Sequence, residues 1–254
     1  DTLLVDSGPV ADLDEAYARC EGLAKTHYEN FTVGSWFLPR DRRKHLYAIY
    51  AFCRSVDDLG DEFEGDRTEA LDFWEQEIGR CYEDTPRHAY MIALQQTIRT
   101  FDIPREPFLK LVQANRMDQN ITCHDTYQDL LHYCDHSANP VGRMVLAIFG
   151  YNDQPRQQLS DATCTALQLA NFWQDVRRDH EAGRIYLPRE DRQRFGFADS
   201  QLAARVSDRA FEDLLRFEVE RTREYLQDGL PLVALMPGRM QVVLELFVRG
   251  VLKI

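Results

Sequence analysis

YAIYAFCRSVDDLGDE, Tyr47–Glu62, sets an acidic face on an otherwise apolar helical period. Tyr47, Tyr50, Arg54, Asp57 and Asp61 follow one another at steps of three, four, three and four, so a helix carries all five on one side. Asp57 and Asp61 are then neighbours, and two carboxylates at that spacing repel by roughly 0.2–0.5 kcal/mol unless a cation lies between them. A second stripe lies far downstream in QLANFWQDVRRD, where Gln168, Asn171, Asp175 and Asp179 are spaced three, four and four. Facing each other across a bundle, the two stripes form an oxygen-rich cleft of the kind Mg²⁺ occupies when it also bridges a substrate phosphate.

An aspartate pair on a helix is ordinarily a solvated face. Two stripes of the same character, each carrying amides, an arginine or a tyrosine beside large apolar residues, point instead to a shared site. A diphosphate brings about three negative charges to such a cleft, and only divalent cations reconcile these with the carboxylates already present. Asp57, Asp61, Asp175 and Asp179 are therefore the candidate Mg²⁺ ligands, with Asn171 as a neutral oxygen ligand beside them. Arg54 offers phosphate a fixed fork of donors, and Gln168 an amide.

Working outward, almost every segment carries a helical period and none a convincing strand alternation, which predicts an all-α protein. Helices are expected over Ala11–Tyr28, from Pro39 to near Gly65, over Arg67–Tyr82, from Pro86 to Phe101, and over Phe108–Asn120 and Asp125–Asp135. In SANPVGRM, Asn139 is read as a cap and Pro140 as the first residue of the next helix, a break that in mid-bundle lines a cavity. Pro155–Asp179 reads as the second acidic helix, followed by the loop EAGRIYLPREDRQRFG and closing helices over Asp199–Gln227 and from Leu232 onward. With no repeat or linker, residues 1–254 are expected to form one bundle-like domain of about ten helices.

Composition narrows the function classes. A net charge of −12 argues against broad electrostatic binding to nucleic acid or anionic lipid. The six cysteines are scattered without CxxC or finger spacing and read as reduced core thiols of a cytosolic protein. No apolar run approaches the length of a membrane span. The chain opens at Asp1 without Met and stops at Ile254 inside a helical pattern, so neither end reads as a natural terminus. His132 and His136, with Cys134 between them and His124 upstream, lack the glutamate of a zinc motif and read as ordinary surface or core histidines. Arg40–His45, RDRRKH, reads as a solvated helical turn, with phosphate or membrane contact as the alternative.

At the two acidic stripes the chain resembles the squalene and phytoene synthase family, all-α prenyl transferases with two aspartate-rich helices around a central apolar cavity. The likeness runs from HYENF at His27 to the last helix and is carried by YAFCRSVDDLGDE, QLANFWQDVRRD and GRIYLP. HYENF, YCDHSANPVGR and NFWQDVRRD are most similar to bacterial hydroxysqualene synthases of hopanoid pathways. The resemblance implies a Mg²⁺ enzyme that ionises presqualene diphosphate, rearranges the carbocation and captures it with water, without NADPH. It assigns diphosphate or Mg²⁺ contacts to His27, Tyr50, Arg54, Asp57, Asp61, Gln168, Asn171, Asp175 and Asp179, adds Tyr133, Arg184 and Tyr186 to the substrate site, and places Phe31 on the cavity wall. Tyr28 and Asn30 stand where condensing relatives have serines, and Gln174 where they have arginine, which argues against the condensing step. The implied setting is cytoplasmic, with peripheral contact at the inner membrane face and association with sister pathway enzymes. The alternatives are condensation of two farnesyl or geranylgeranyl diphosphates to presqualene diphosphate, squalene or phytoene, and a non-catalytic assembly protein.

Overall fold

The computed structural model describes residues 12–26, 39–238, 240–242 and 244–245. The expected loop HYENFTVGSWFLP, including His27 and Phe31, lies outside them apart from its final Pro39. Within the described residues the chain is all-α. Its helices are α1 (Leu13–Thr26), α2 (Arg40–Asp61), α3 (Arg67–Glu83), α4 (Ala89–Phe101), α5 (Glu106–Asp118), α6 (Tyr127–Ser137) and α7 (Asn139–Ile148). The second half contributes α8 (Gln154–Gln174), α9 (Val176–Glu181), α10 (Arg189–Arg194), α11 (Asp199–Ala203), α12 (Arg209–Gly229) and α13 (Pro231–Leu235).

Side-chain caps fix several of these starts. Asp66 accepts from the backbone N–H of Thr68 and Glu69 at 2.9 and 3.1 Å, and Thr126 forms a reciprocal capping box with Asp129. Asp153 and Asp208 do the same work for α8 and α12. Asn139 is not a cap: Ala138 holds that position, and the buried Asn139 Oδ1 accepts from Thr165 Oγ1 at 3.0 Å. The expected closing helix is likewise divided, because the chain turns at Ala204–Asp208, where Arg205 takes a positive φ of 56°, before α12 begins.

Among the described residues two large apolar cores form, with three smaller clusters beside them. The first gathers Phe52, Val56 and Leu59 of α2 with Trp74, Leu94, Phe108, Val112 and Met144. The second gathers Leu130, Tyr133, Leu169, Phe172, Trp173, Leu187 and Leu214. Helix α5 belongs to both, giving Phe108, Leu111 and Val112 to the first and Ala114 to the second. The aromatics of YAIYAF and LANFWQ largely follow the core reading, with Phe52, Phe172 and Trp173 buried. All six cysteines are free thiols. Among the described residues no helix is long and apolar enough to cross a membrane.

The pairing of α8 with α12 depends on close backbone approach at Gly229. A Cβ there would meet the Thr163 backbone N at 2.9 Å and the Leu159 carbonyl O at 3.1 Å. Backbone atoms inside a helix cannot swing aside as a side chain would. Gly229→Ala is therefore expected to cost about 1–3 kcal/mol by overpacking, read as a lower midpoint in urea unfolding with an unchanged m-value.

Candidate functional site

A pocket of about 220 Å³ lies on the seam between the two cores. Asp57 and Asp61 of α2 line it together with Leu111, Ala114, Asn115 and Asp118 of α5, Tyr133 and Ser137 of α6, Gln168 of α8, and Arg184. Five residues singled out from the sequence thus meet in one place: Asp57, Asp61, Tyr133, Gln168 and Arg184. Asp118 and Asn115 are additions. Nothing marks Asp118 as one of a carboxylate pair, yet Asn115, Asp118 and Gln119 follow at steps of three and one on a helix whose neighbouring Leu111, Val112 and Ala114 are buried. That polar cluster on an apolar stripe is the signal.

Each side chain is held by a named contact. Asn115 Nδ2 donates to Asp57 Oδ1 at 3.3 Å and to the Leu111 carbonyl at 3.2 Å. Gly60 makes room for this amide, since a Cβ there would collide with Asn115 Oδ1. Tyr133 donates its hydroxyl hydrogen to Asp118 Oδ2 at 2.8 Å. Arg184 donates to Asp61 from across 123 residues of chain. Tyr186 stacks on Phe172 with ring centroids 3.8 Å apart, and lies 5.9 Å from the Tyr133 ring.

The loop that delivers Arg184 and Tyr186 is clamped along its length. Gly183 takes a φ of 84°, which a residue without a Cβ tolerates, and ends α9 so that the Arg184 N–H returns to the Asp179 carbonyl at 2.8 Å. The N–H groups of Ile185, Arg189 and Glu190 then donate to the carbonyls of Thr122, His124 and Asp125. Farther along, the buried Arg192 donates to the Leu187 carbonyl, Cys123 Sγ and Asp199. Arg221 pairs with both Asp191 and Glu218.

The second acidic stripe is not one straight helix. Helix α8 ends at Gln174, and Asp175 takes φ −100°, ψ 12° before α9 starts. The i→i−4 bonds from the N–H of Asp175 to the Asn171 carbonyl and from that of Asp179 to the Asp175 carbonyl persist, at 2.9 and 2.8 Å. The stripe therefore bends at Asp175 without unravelling. Asn171, Asp175 and Asp179 do not line the pocket; of the three, Asp179 is tied to it through Arg184, which acts electrostatically on Asp179 as well as on Asp61. Gln174 lines a separate hollow of about 360 Å³ with Trp173, Val176 and Phe211. Arg54 engages Asp58 at 2.5 Å and Glu62 at 3.2 Å, and the half-buried Tyr50 lies one turn before it on α2.

Like charges crowd here with little water to spread them. The carboxyl of Asp57 is pushed up to about 6 by burial and by Asp61, against the hydrogen bond from Asn115. Asp118 rises to about 6 through burial, opposed by Tyr133 and Arg184, and Asp179 to about 6 through burial and the neighbouring Asp175. Asp57 keeps a face open to the pocket while protein encloses it on the other sides, so solvent reaches the group without fully hydrating it.

Among the described residues no three His, Cys, Asp or Glu side chains are gathered closely enough to cage an ion alone. His136 Nδ1 bonds the His132 carbonyl at 2.9 Å, an ordinary helical contact. Hard carboxylate oxygens with raised proton affinity, opening on a pocket, nonetheless suit Mg²⁺, which takes one or two carboxylates and completes its shell with water and phosphate oxygens.

An all-α bundle whose two aspartate-bearing segments meet an arginine loop defines the class, and comparison with known proteins defines the family. A family model described as squalene/phytoene synthase matches residues 24–254. The chain belongs to that family. It is 33% identical to a 15-cis-phytoene synthase of Synechocystis sp. over 235 residues, 87% of this chain and 70% of that protein. Among solved structures, the squalene synthase HpnC from Alicyclobacillus acidocaldarius is 46% identical with a TM-score of 0.91, covering 98% of this chain and 94% of that one. A dehydrosqualene synthase in complex with ligand is 25% identical with a TM-score of 0.87, covering 96% of this chain and 86% of that one.

The raised Asp57 fixes the sign of a pH effect. Its folded value of about 6 lies above the ordinary 3.8, so its charge opposes folding above pH 6, and that penalty fades as the pH falls toward 4. In divalent-free buffer, Asp57→Asn is expected to raise Tm at pH 7.5 by on the order of 2 °C. Scanning calorimetry at pH 4 should show the gain gone.

Proposed function

We propose that the protein is a Mg²⁺-dependent enzyme that converts presqualene diphosphate to hydroxysqualene and diphosphate. The observation that carries this reading is the meeting of Asp57, Asp61, Tyr133, Gln168 and Arg184 in one pocket, with Asp179 within electrostatic reach of the same arginine. Membership of the squalene/phytoene synthase family supports prenyl diphosphate chemistry, and 46% identity to a squalene synthase, against 25–33% to dehydrosqualene and phytoene synthases, favours the squalene side. The tract YCDHSANPVGR and the departures at Tyr28, Asn30 and Gln174 favour a substrate already condensed. Gln174, which turns toward a different hollow, acts on that choice only indirectly.

Asp57, Asp61, Asn171, Asp175 and Asp179 would hold the ions. When bound, Mg²⁺ neutralises the diphosphate and makes it a better leaving group. Arg184 has two assignments. Without substrate it balances Asp61, and with the carboxylates engaged its guanidinium is released to the departing diphosphate, joined by Arg54, Tyr50, His27 and the Gln168 amide. Tyr133, held by Asp118, and Tyr186, held on Phe172, would offer aromatic rings to the cation that remains, and the family likeness gives Phe31 a cavity-lining role. Leu111 and Ala114 line the same pocket and would limit the water that reaches the cation. The chemistry is a net replacement of diphosphate by water with no change of oxidation state, so no NADPH enters.

The purified chain, given Mg²⁺ and presqualene diphosphate without NADPH, is expected to form hydroxysqualene. Unchanged substrate beside an active control enzyme would remove the assignment. Supplying farnesyl or geranylgeranyl diphosphate instead tests condensation, which the phytoene synthase relatives favour, while Mg²⁺-dependent binding of a diphosphate analogue without turnover would mark an assembly protein. Asp57→Ala and Asp175→Ala should each lower turnover by more than about a hundredfold, the scale of losing a group that stabilises developing charge. Circular dichroism should remain that of the native bundle, and retained activity in either variant would count against the ion site.

A further inference from the structure

Among the described residues, the pocket's polar groups are mostly spoken for. Asn115 serves Asp57, Tyr133 serves Asp118 and Arg184 serves Asp61. Ser137 differs. Its Oγ is buried and makes no hydrogen bond, and it is the one such orphaned atom on a residue that lines this pocket. A helical hydroxyl usually returns its hydrogen to the carbonyl four residues back. Thr97, Thr100, Thr163 and Thr222 all do so here, at 2.7–3.0 Å.

The position of Ser137 explains why it is available. It is the last residue of α6, and Ala138, at φ −113° and ψ −49°, separates it from α7. The next polar residue, Asn139, is committed to Thr165. One turn before Ser137 stands Tyr133, whose ring belongs to the aromatic wall with Phe172 and Tyr186. The free hydroxyl is thus set between the acidic rim and the aromatic wall, with the apolar Leu111 and Ala114 lining the same pocket. A buried hydroxyl without a partner is disfavoured unless it serves a ligand or a water.

We propose that Ser137 Oγ anchors the water that captures the carbocation, making it a positioning residue for hydration; this rests on the hydroxysqualene reading. The water donates one hydrogen to Ser137 Oγ and turns a lone pair toward the cationic carbon. That pair forms the new C–O bond, and the surplus proton passes from the resulting oxonium to the departed diphosphate. The sum is diphosphate ester plus water giving alcohol plus protonated diphosphate, with nothing oxidised or reduced and Ser137 unchanged. A single water held at Ser137, rather than mobile solvent, lets the rearrangement finish before capture.

The test uses the full chain with Mg²⁺ and presqualene diphosphate in H₂¹⁸O. It measures labelled hydroxysqualene against non-hydroxylated C30 products, each per diphosphate released, so that a slower variant is judged on the same scale. Ser137→Ala is expected to lower the hydroxylated fraction relative to the rest about three- to tenfold, the effect of one hydrogen bond on competing steps. Ser137→Thr, which restores a hydroxyl, should keep the native ratio. If Ser137→Ala does not fold, Ser137→Cys, close in size but a weak hydrogen-bonding partner, carries the same comparison. An unchanged ratio in the Ala or Cys variant overturns the proposal, as does an equal fall in the Ala and Thr variants, which would report packing. A native enzyme that releases diphosphate without labelled alcohol overturns the hydroxysqualene reading and this proposal with it.

Discussion

Burial, the largest cause in each case, pushes the carboxyls of Asp57, Asp118 and Asp179 up to about 6. Such a cluster is unstable by itself, since each charge is poorly hydrated and Asp57 and Asp179 each have a second acid one turn away. Arg184 relieves part of this by pairing with Asp61 while its field also reaches Asp118 and Asp179. The elaborate anchoring of its loop follows from that task. A long cation that must sit among several acids needs its backbone fixed, and here the Thr122–Asp125 segment, the Asp179 carbonyl and the buried Arg192 fix it.

The seam exists because α5 takes part in both cores. Its first turns pack with α2, α3 and α7 through Phe108 and Val112, while Ala114 closes on the Leu130 and Leu169 side. Between those faces it can turn Asn115 and Asp118 only toward the pocket. The small residues matter as much as the large ones: Gly60 lets Asn115 approach α2, and Gly229 lets α12 lie against α8. At both a single added methyl would press on the facing helix, and at Gly60 it would meet the Asn115 amide that holds Asp57.

Much of this was legible in the sequence. The 3.6-residue period revealed the all-α class, and the steps from Tyr47 to Asp61 all fall within α2, although that helix ends at Asp61 rather than near Gly65. The family likeness supplied Tyr133, Arg184 and Tyr186, which no local pattern marks. Asp118 escaped because it lacks a carboxylate at a helical spacing and gains its role only from α2 and the Arg184 loop folding over it. The bend at Asp175 escaped because its residues suit a continuous helix, and the i→i−4 bonds on either side survive it. The turn at Ala204–Asp208 was hidden in a stretch without Gly or Pro, where Arg205 adopts the left-handed conformation unaided by composition.

The two interruptions near the pocket, at Ala138 and at Asp175, share a logic. In a straight helix, side chains advance by a fixed rotation, so a residue that must face a site cannot be adjusted without moving its whole stripe. A break frees it. At Ala138 the chain leaves α6 with Ser137 turned into the pocket and enters α7 with Asn139 committed to Thr165. At Asp175 it leaves α8 with the aromatic pair Phe172 and Trp173 buried, and sets Asp179 within the field of Arg184. Regular helices thus carry the cores, while the short irregular joints between them aim the groups that chemistry would use. Joints of this kind tolerate re-aiming because they contribute little of the buried apolar area that stabilises the bundle.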